Sequence, residues 1–517
     1  MSDTRRTRLT RETRIPGRMR GIVQTDGEPV PVHADWRSLA AFIHLSDLHI
    51  MDAQSPSRVE YYDRYTDPDM ELHSEIGYIG TYRPHDALTT HVLAATIDAV
   101  NAITTAPSGA PIEAVLITGD TVDNAQQNEV EWYLGLLDGG AVHPASGDPE
   151  RWEGVGGPDD PDDRYWHPEG GVEDRPRSLH GFPTIPGYFD AVQRPLRSPG
   201  IRHPWFAIHG NHDAMLCGTT MPDSDTRALT IGDQRIVREK PGTVIREMLL
   251  DWSPIGPSPF PLVPDSPTVH VTPDPRRRFV EPGDYAAMHL ECGHDHGFTS
   301  DNVATKTNYW TRQLNEHVTL IAMDTVNRHG GWHGCIDRVQ LAWLRSQLEV
   351  ADRYVIVLSH HPAETLVNGH TIDESAPALE AEVVELLQEF PNVILWVAGH
   401  THRNQISFHG SGPGHGFWHI RTSSLIDWPQ QSRVIEVLEH DDELHIATYV
   451  FDHHGVAQPD IADLTAVTTL AGISRWLAAN NWQRQEGDHP LDKLEGKRDD
   501  RNVVLHLAKR PIARLHA

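Results

Sequence analysis

Residues 41–50 read AFIHLSDLHI, a short apolar run that stops abruptly at Ser46-Asp47-Leu48-His49. The same construction recurs four times: AVLITGDTVDN at 114–124, WFAIHGNHD at 205–213, YVIVLSHHP at 354–362 and VILWVAGHTHR at 393–403. Apolar runs of this length, rich in β-branched residues, read as buried strands. Further strands are expected at 318–323 (VTLIAM), 417–421, 434–438 and 444–450. Between them lie amphipathic helices. Residues 86–103 put Leu88, Val92, Ala95, Ala99 and Ile103 on one face, and 338–350 does the same with Leu341, Leu344 and Leu348. A third helix is expected at 379–390. Alternating strands and helices predict an α/β layered domain.

The chain has 517 residues, with 44 Lys+Arg against 73 Asp+Glu and a net charge of −29. That balance argues against generic docking on nucleic-acid phosphates or anionic membranes. Three scattered cysteines (Cys217, Cys292, Cys335) make no disulfide framework and suit a reducing compartment. No apolar run approaches the roughly 18 residues of a membrane span. Arg5-Arg6 superficially resembles a twin-arginine signal, but no apolar segment follows before Ala40. A cytoplasmic location is therefore expected. Residues 1–40 read as a basic, solvated arm, 41–455 as one domain, and 456–517 as a tail with one helix near 464–480 and a basic terminal strip. Two stretches, 139–204 and 253–315, are too long for ordinary connections and read as insertions folded onto the domain edge or as mobile loops.

The strand ends carry the chemistry. Ligands bind at the C-terminal ends of strands in open α/β sheets. Residues at i and i+2 of an extended segment point the same way, so Asp47/His49 and His400/His402 should each present two ligands to one cavity. That cavity would hold Asp47, Asp120 and Asp123, the amide of Asn211, and several imidazoles. Mixed oxygen and nitrogen ligands without thiolate suit Mn, Fe, Zn or Co. Their number suits two metals about 3.5–4 Å apart rather than one tetrahedral site.

In order, DLH, GDTVD, GNHD, SHHP and GHTH resemble the motifs of the calcineurin-like metallophosphoesterase superfamily. The resemblance covers about 41–450 and implies a four-layer αββα sandwich with long insertions. It implies a hydrolase with two divalent metal ions and a hydroxide nucleophile held between them. Asp47, His49 and His402 resemble the ligands of one metal, and Asn211, His360 and His400 those of the other. Asp120 resembles the bridging carboxylate. His212 resembles the residue that touches the phosphate and protonates the leaving group, and Asp123 its partner. Purple acid phosphatases carry Tyr in place of Asp123, so that branch is disfavoured. GCIDRVQLAWLRSQL at 334–348 is similar to the matching stretch of bacterial class III phosphodiesterases, and the long gaps resemble a long-insert actinobacterial group. His209 stands where relatives often have Pro.

Arg403 reads either as a phosphate contact or as a surface arginine. His361 reads as a residue behind the ligands or a substrate contact, with a metal ligand as the alternative. Asp213 and Asp324 read as structural, and His44 as a satisfied buried histidine. Cys292, His294 and His296 form a rival metal cluster or a surface loop, since no fourth ligand is evident. The expected substrate is a small phosphoester, with a lean towards diesters; a phosphomonoesterase and a non-catalytic scaffold are the alternatives. Nucleic acid is disfavoured, with Arg276-Arg277-Arg278 the one basic patch that could oppose this.

Overall fold

The computed structural model describes residues 7–27, 30–77, 79, 82–258, 265–294, 296–412, 414–484 and 490–510. Arg5 and Arg6 lie outside them. Two six-stranded mixed sheets face each other. The first has the order β12-β11-β10-β1-β2-β3, with β1 (Arg37–Leu45), β2 (Ala114–Ile117), β3 (Trp205–Ala207), β10 (Gln431–His440), β11 (Glu443–Asp452) and β12 (Val503–Ala508). The second runs β4-β5-β6-β7-β9-β8, with β4 (Trp310–Gln313), β5 (Val318–Ala322), β6 (Tyr354–Leu358), β7 (Val393–Ala398), β8 (Gln405–Gly412) and β9 (His415–Arg421). Strands β1, β2 and β3 are parallel, as are β5, β6, β7 and β9. Their C-terminal ends, where the motifs begin, therefore gather at one edge of the sandwich.

Alternation along β6 shows why both faces are buried. Ile356 and Leu358 join the large core shared by the two sheets. Val355 and Val357 point outward into a second cluster with Leu344 and Leu348 of α4 (Arg338–Val350) and Val383 and Leu387 of α5 (Glu380–Gln388). On the far side, α1 (Thr89–Ala102) packs against α6 (Val467–Ala478). Helix α2 (Gln127–Leu137) follows the GDTVD loop, and α3 (Pro282–Glu291) belongs to the second insertion. The result is the expected four-layer αββα sandwich.

Several local expectations need correction. The helix expected from residue 86 opens as a 3-10 turn, Asp86–Leu88, because the Asp86 carboxylate is held by Arg58. Strands β4, β8 and β12 were not legible; each lies at a sheet edge, where one side meets solvent and the apolar pattern weakens. The terminal strip thus contributes β12, paired with β11. The N-terminal arm is not simply solvated: Thr7–Arg11 and Ile22–Asp26 form a ribbon, and Arg8 and Arg11 pair with Glu495 and Asp492. The first insertion packs Trp166, Phe182, Tyr188 and Phe189 into one cluster with Tyr82, Leu88 and, from the tail, Leu470, Ile473 and Trp482. The Arg276-Arg277-Arg278 run is internally spent. Arg277 is buried against Ser146 and Asp52, Arg276 pairs with Asp274, and Arg278 pairs with Asp284.

Candidate metal centre

All five motif loops meet at the edge where β1, β2, β3, β6 and β7 end. The backbone knits them together: Asp47 N–H donates to Gly119, His49 N–H to Asp120 and Gly399 N–H to His360. Three motif glycines permit this closeness. A Cβ on Gly399 would stand 1.8 Å from Ser46 Oγ, one on Gly210 2.3 Å from Asp120 Oδ1, and one on Gly119 2.8 Å from His360 Nδ1. Asp213 ties two loops, accepting from the N–H groups of Gly210, Thr121 and Val122.

The expectation that Asp47/His49 and His400/His402 lie on extended backbone is not met. Asp47, His49, Asp120, His400 and His402 all have positive φ, between 45° and 66°. Non-glycine residues rarely adopt this region, and it costs about 1–3 kcal/mol each. The side chains still converge, but through tight left-handed loops that aim each one back over the strand ends.

The imidazoles are fixed with their Nε2 atoms inward. Carboxylate and carbonyl oxygens only accept, so the Nδ1–H groups donate outward: His49 to Asp123 Oδ1 (3.0 Å), His402 to Asp427 Oδ2 (2.6 Å) and His360 to the Thr118 carbonyl (2.8 Å). His49 Nε2 then faces His402 Nε2 at 3.1 Å. His360 Nε2 lies 3.1 Å, and His49 Nε2 3.7 Å, from the same Asp120 oxygen, Oδ2. His402 Nε2 is 3.3 Å from Asp47 Oδ1. Asn211 donates through Nδ2 to the Gly218 carbonyl, and its Oδ1 is buried without a hydrogen-bond partner. Facing lone pairs and an orphaned amide oxygen beside buried carboxylates are a donor set that needs cations. The residues fit two divalent metals.

The same charge balance appears in the titration behaviour. Burial lowers the His360 pKa, but Asp120 outweighs it and pushes the ring up to about 9. Burial likewise opposes His212, yet Asp120 and Asp123 raise it to about 9. His49 is carried down to about 4 by burial and by His212. Asp120 is held well below the usual carboxylate range: its burial penalty is overcome by His360 and His212. His400 lies in the same cluster, its ring 5.1 Å from that of His360.

His212 donates its backbone N–H to Asp120 Oδ1 (2.8 Å), and its Nδ1 lies 2.7 Å from the Asp123 carbonyl and 3.5 Å from Asp123 Oδ1. Its side chain keeps 22% exposure, at the mouth of the site. His361 is buried, with Nδ1 on Thr325 Oγ1 and Nε2 on the Trp332 carbonyl. Both nitrogens have protein partners; its ring centroid lies 4.4 Å from that of His400, and a ring nitrogen of His361 lies within 4.8 Å of one from His360 and one from His400. Arg403 is half-buried beside His402. Sequence reading missed two residues: Asp427, which orients His402 and is itself held by Arg83 and Arg484, and Arg58, fully buried between Asp123, Asp86 and Glu60. Neither sits in a motif, and only the fold brings them here.

Among the described residues, no helix is long and apolar enough to cross a membrane. No curated protein matches the chain. A solved structure named as a 5'-nucleotidase from Staphylococcus aureus, in complex with alpha-ketoglutarate, aligns at 12% identity over 78% of this chain and 51% of its own, with a TM-score of 0.25. The chain thus spans about half of that protein, and at this score the likeness carries no argument. The sequence description of the calcineurin-like phosphoesterases matches residues 40–404, more than half of the chain. With five motif loops folded into one cation-seeking pocket, the chain belongs to the calcineurin-like phosphoesterases.

Proposed function

We propose that the substrate is a small phosphodiester, hydrolysed at a dinuclear centre. Asp47, His49 and His402 would hold one cation and Asn211, His360 and His400 the other, with Asp120 placed between the two sets. The observation that supports the two-cation centre is Asp120 Oδ2, a single oxygen 3.1 Å from His360 Nε2 and 3.7 Å from His49 Nε2; the diester reading rests on the resemblance at 334–348. When bound, two divalent cations neutralise phosphate oxygens and activate water near neutral pH.

The chain's own residues supply the rest. His212, at the mouth and raised by Asp120 and Asp123, keeps a proton for the departing alkoxide. Asp123 orients both His212 and the ligand His49, and Arg58 fixes Asp123 from behind. Arg403 contacts the phosphate. The catalytic unit is residues 41–455, with the arm and tail packed on it. The second insertion shapes substrate choice, its Tyr285 hydroxyl lying 3.0 Å from Thr121 Oγ1 of the GDTVD loop. Glu60 pairs with Arg58 behind Asp123.

The test strips the protein and reloads it with Mn, Fe, Zn or Co. Each form is then assayed on bis(p-nitrophenyl) phosphate and p-nitrophenyl phosphate. Faster monoester turnover would replace the diester reading with a phosphatase, the alternative that the Asp123–His212 contact favours. Asp120→Ala should lose on the order of 10³-fold in turnover while staying folded. Undiminished hydrolysis by that variant would remove the site assignment.

A further inference from the structure

We propose that Asp138, Cys292 and His296 bind a structural zinc ion, separate from the hydrolytic centre. The sequence offers Cys292, His294 and His296 without a convincing further ligand; the fold supplies Asp138 from a distant helix. The ligand atoms of Asp138, Cys292 and His296 all lie within 4.8 Å of one another. His296 Nε2 is 3.6 Å from Asp138 Oδ1. A tetrahedral zinc with bonds of about 2.0–2.3 Å sets its donors roughly 3.3–3.8 Å apart, a spacing that the His296–Asp138 pair already has.

Three further observations point to a cation. First, His296 is buried, and its Nδ1 lies 3.2 Å from the Trp205 carbonyl, which can only accept. That fixes the tautomer and turns Nε2 towards the Asp138 carboxylate, the arrangement that outer hydrogen bonds impose on metal-bound histidines. Second, Asp138 Oδ1 is buried without a hydrogen-bond partner. Third, Asp138 caps the C-terminus of α2 and Cys292 caps that of α3. Two helices thus aim their negative ends at one point, which favours positive charge.

Aspartate, thiolate and imidazole together suit zinc better than the oxygen-seeking Mn or Mg. Exposed His294, its ring 5.8 Å from that of His296, or a water is free to take the fourth position. Binding replaces the thiol proton, which is released to solvent. The ion would pin the second insertion to α2 and to β3, which lead out of GDTVD and into GNHD.

The hydrolytic ligands include no sulfur, so a thiolate-to-cobalt charge-transfer band reports a cysteine site alone. Metal-stripped full-length protein titrated with Co²⁺ should develop this band. It should persist in Cys217→Ser and Cys335→Ser, weaken in Asp138→Asn and His296→Gln, and vanish in Cys292→Ser. Elemental analysis of zinc-saturated protein should show one equivalent fewer per chain in Cys292→Ser, with phosphoester hydrolysis retained. Absence of the band from the wild type, its survival in Cys292→Ser, or equal zinc in both proteins would overturn the proposal and leave a plain His296–Asp138 ion pair.

Discussion

Asp427 illustrates how a residue outside every motif governs one inside. It accepts the Nδ1–H of His402 at 2.6 Å and is held by Arg83 and Arg484. Those contacts keep it well below the usual carboxylate range, since its burial penalty is outweighed by the two arginines and His402. A charged Asp427 locks the tautomer that presents Nε2 inward. Asp427→Asn leaves the shape but loses that preference. Metal affinity should fall about 10–100-fold, measured by titrating the stripped protein against a chelator. Unchanged affinity would mean that the His402 orientation is set elsewhere.

At the scale of elements, the loops after β1 and β7 must interlock. Gly399 has no Cβ where Ser46 Oγ would stand 1.8 Å from it and Asp47 Oδ2 2.4 Å. Gly399→Ala therefore pushes the DLH and GHTH loops apart. It should cost about 1–3 kcal/mol of stability and weaken metal binding, both readable by urea unfolding with and without metal. Equal loss in the two conditions would show that the loops are not coupled to the ion. Strand β12 makes a second case. It covers the edge of β11 and buries Leu505 and Leu507. A chain ended at Asn502 should lose about 3–6 kcal/mol of apolar burial. It should also scatter light through edge pairing. A monodisperse truncated chain of unchanged Tm would contradict this.

For the whole molecule, the 34 histidines matter more for acid stability than for chemistry. Burial, reinforced by Arg433, lowers His44 to about 3; burial and Arg194 lower His91 to about 4; burial lowers His289 to about 3. Their ordinary value is 6.5, so between those limits the unfolded chain binds protons that the folded chain refuses. Stability from these groups is complete above pH 6.5 and falls as pH drops towards 3–4. Each contributes a slope of about 1.4 kcal/mol per pH unit. His91→Gln should flatten the slope by that amount in urea midpoints taken from pH 6.5 down to pH 4. A slope equal to that of the wild type would mean that His91 is protonated when folded.

The sequence by itself determined an α/β layered domain and the motif residues, because both are written locally; the sandwich was implied only by the family resemblance. Apolar runs of strand length fix the strands, and Asp, Asn and His must follow them where the chain turns. Asp47, His49, Asp120, Asn211, His360, His400 and His402 were therefore legible as a group that the fold does bring together. Only the tertiary structure decided what depends on contacts between distant segments. The left-handed backbone at five of these residues, the Asp427 and Arg58 supports, and the edge strands β4, β8 and β12 leave no periodic trace in the chain. The joining of Asp138 to Cys292 and His296 is of the same kind, since 154 residues separate the helix cap from the cysteine. Their placement follows from burial and charge pairing, which exist only once the two sheets close on each other.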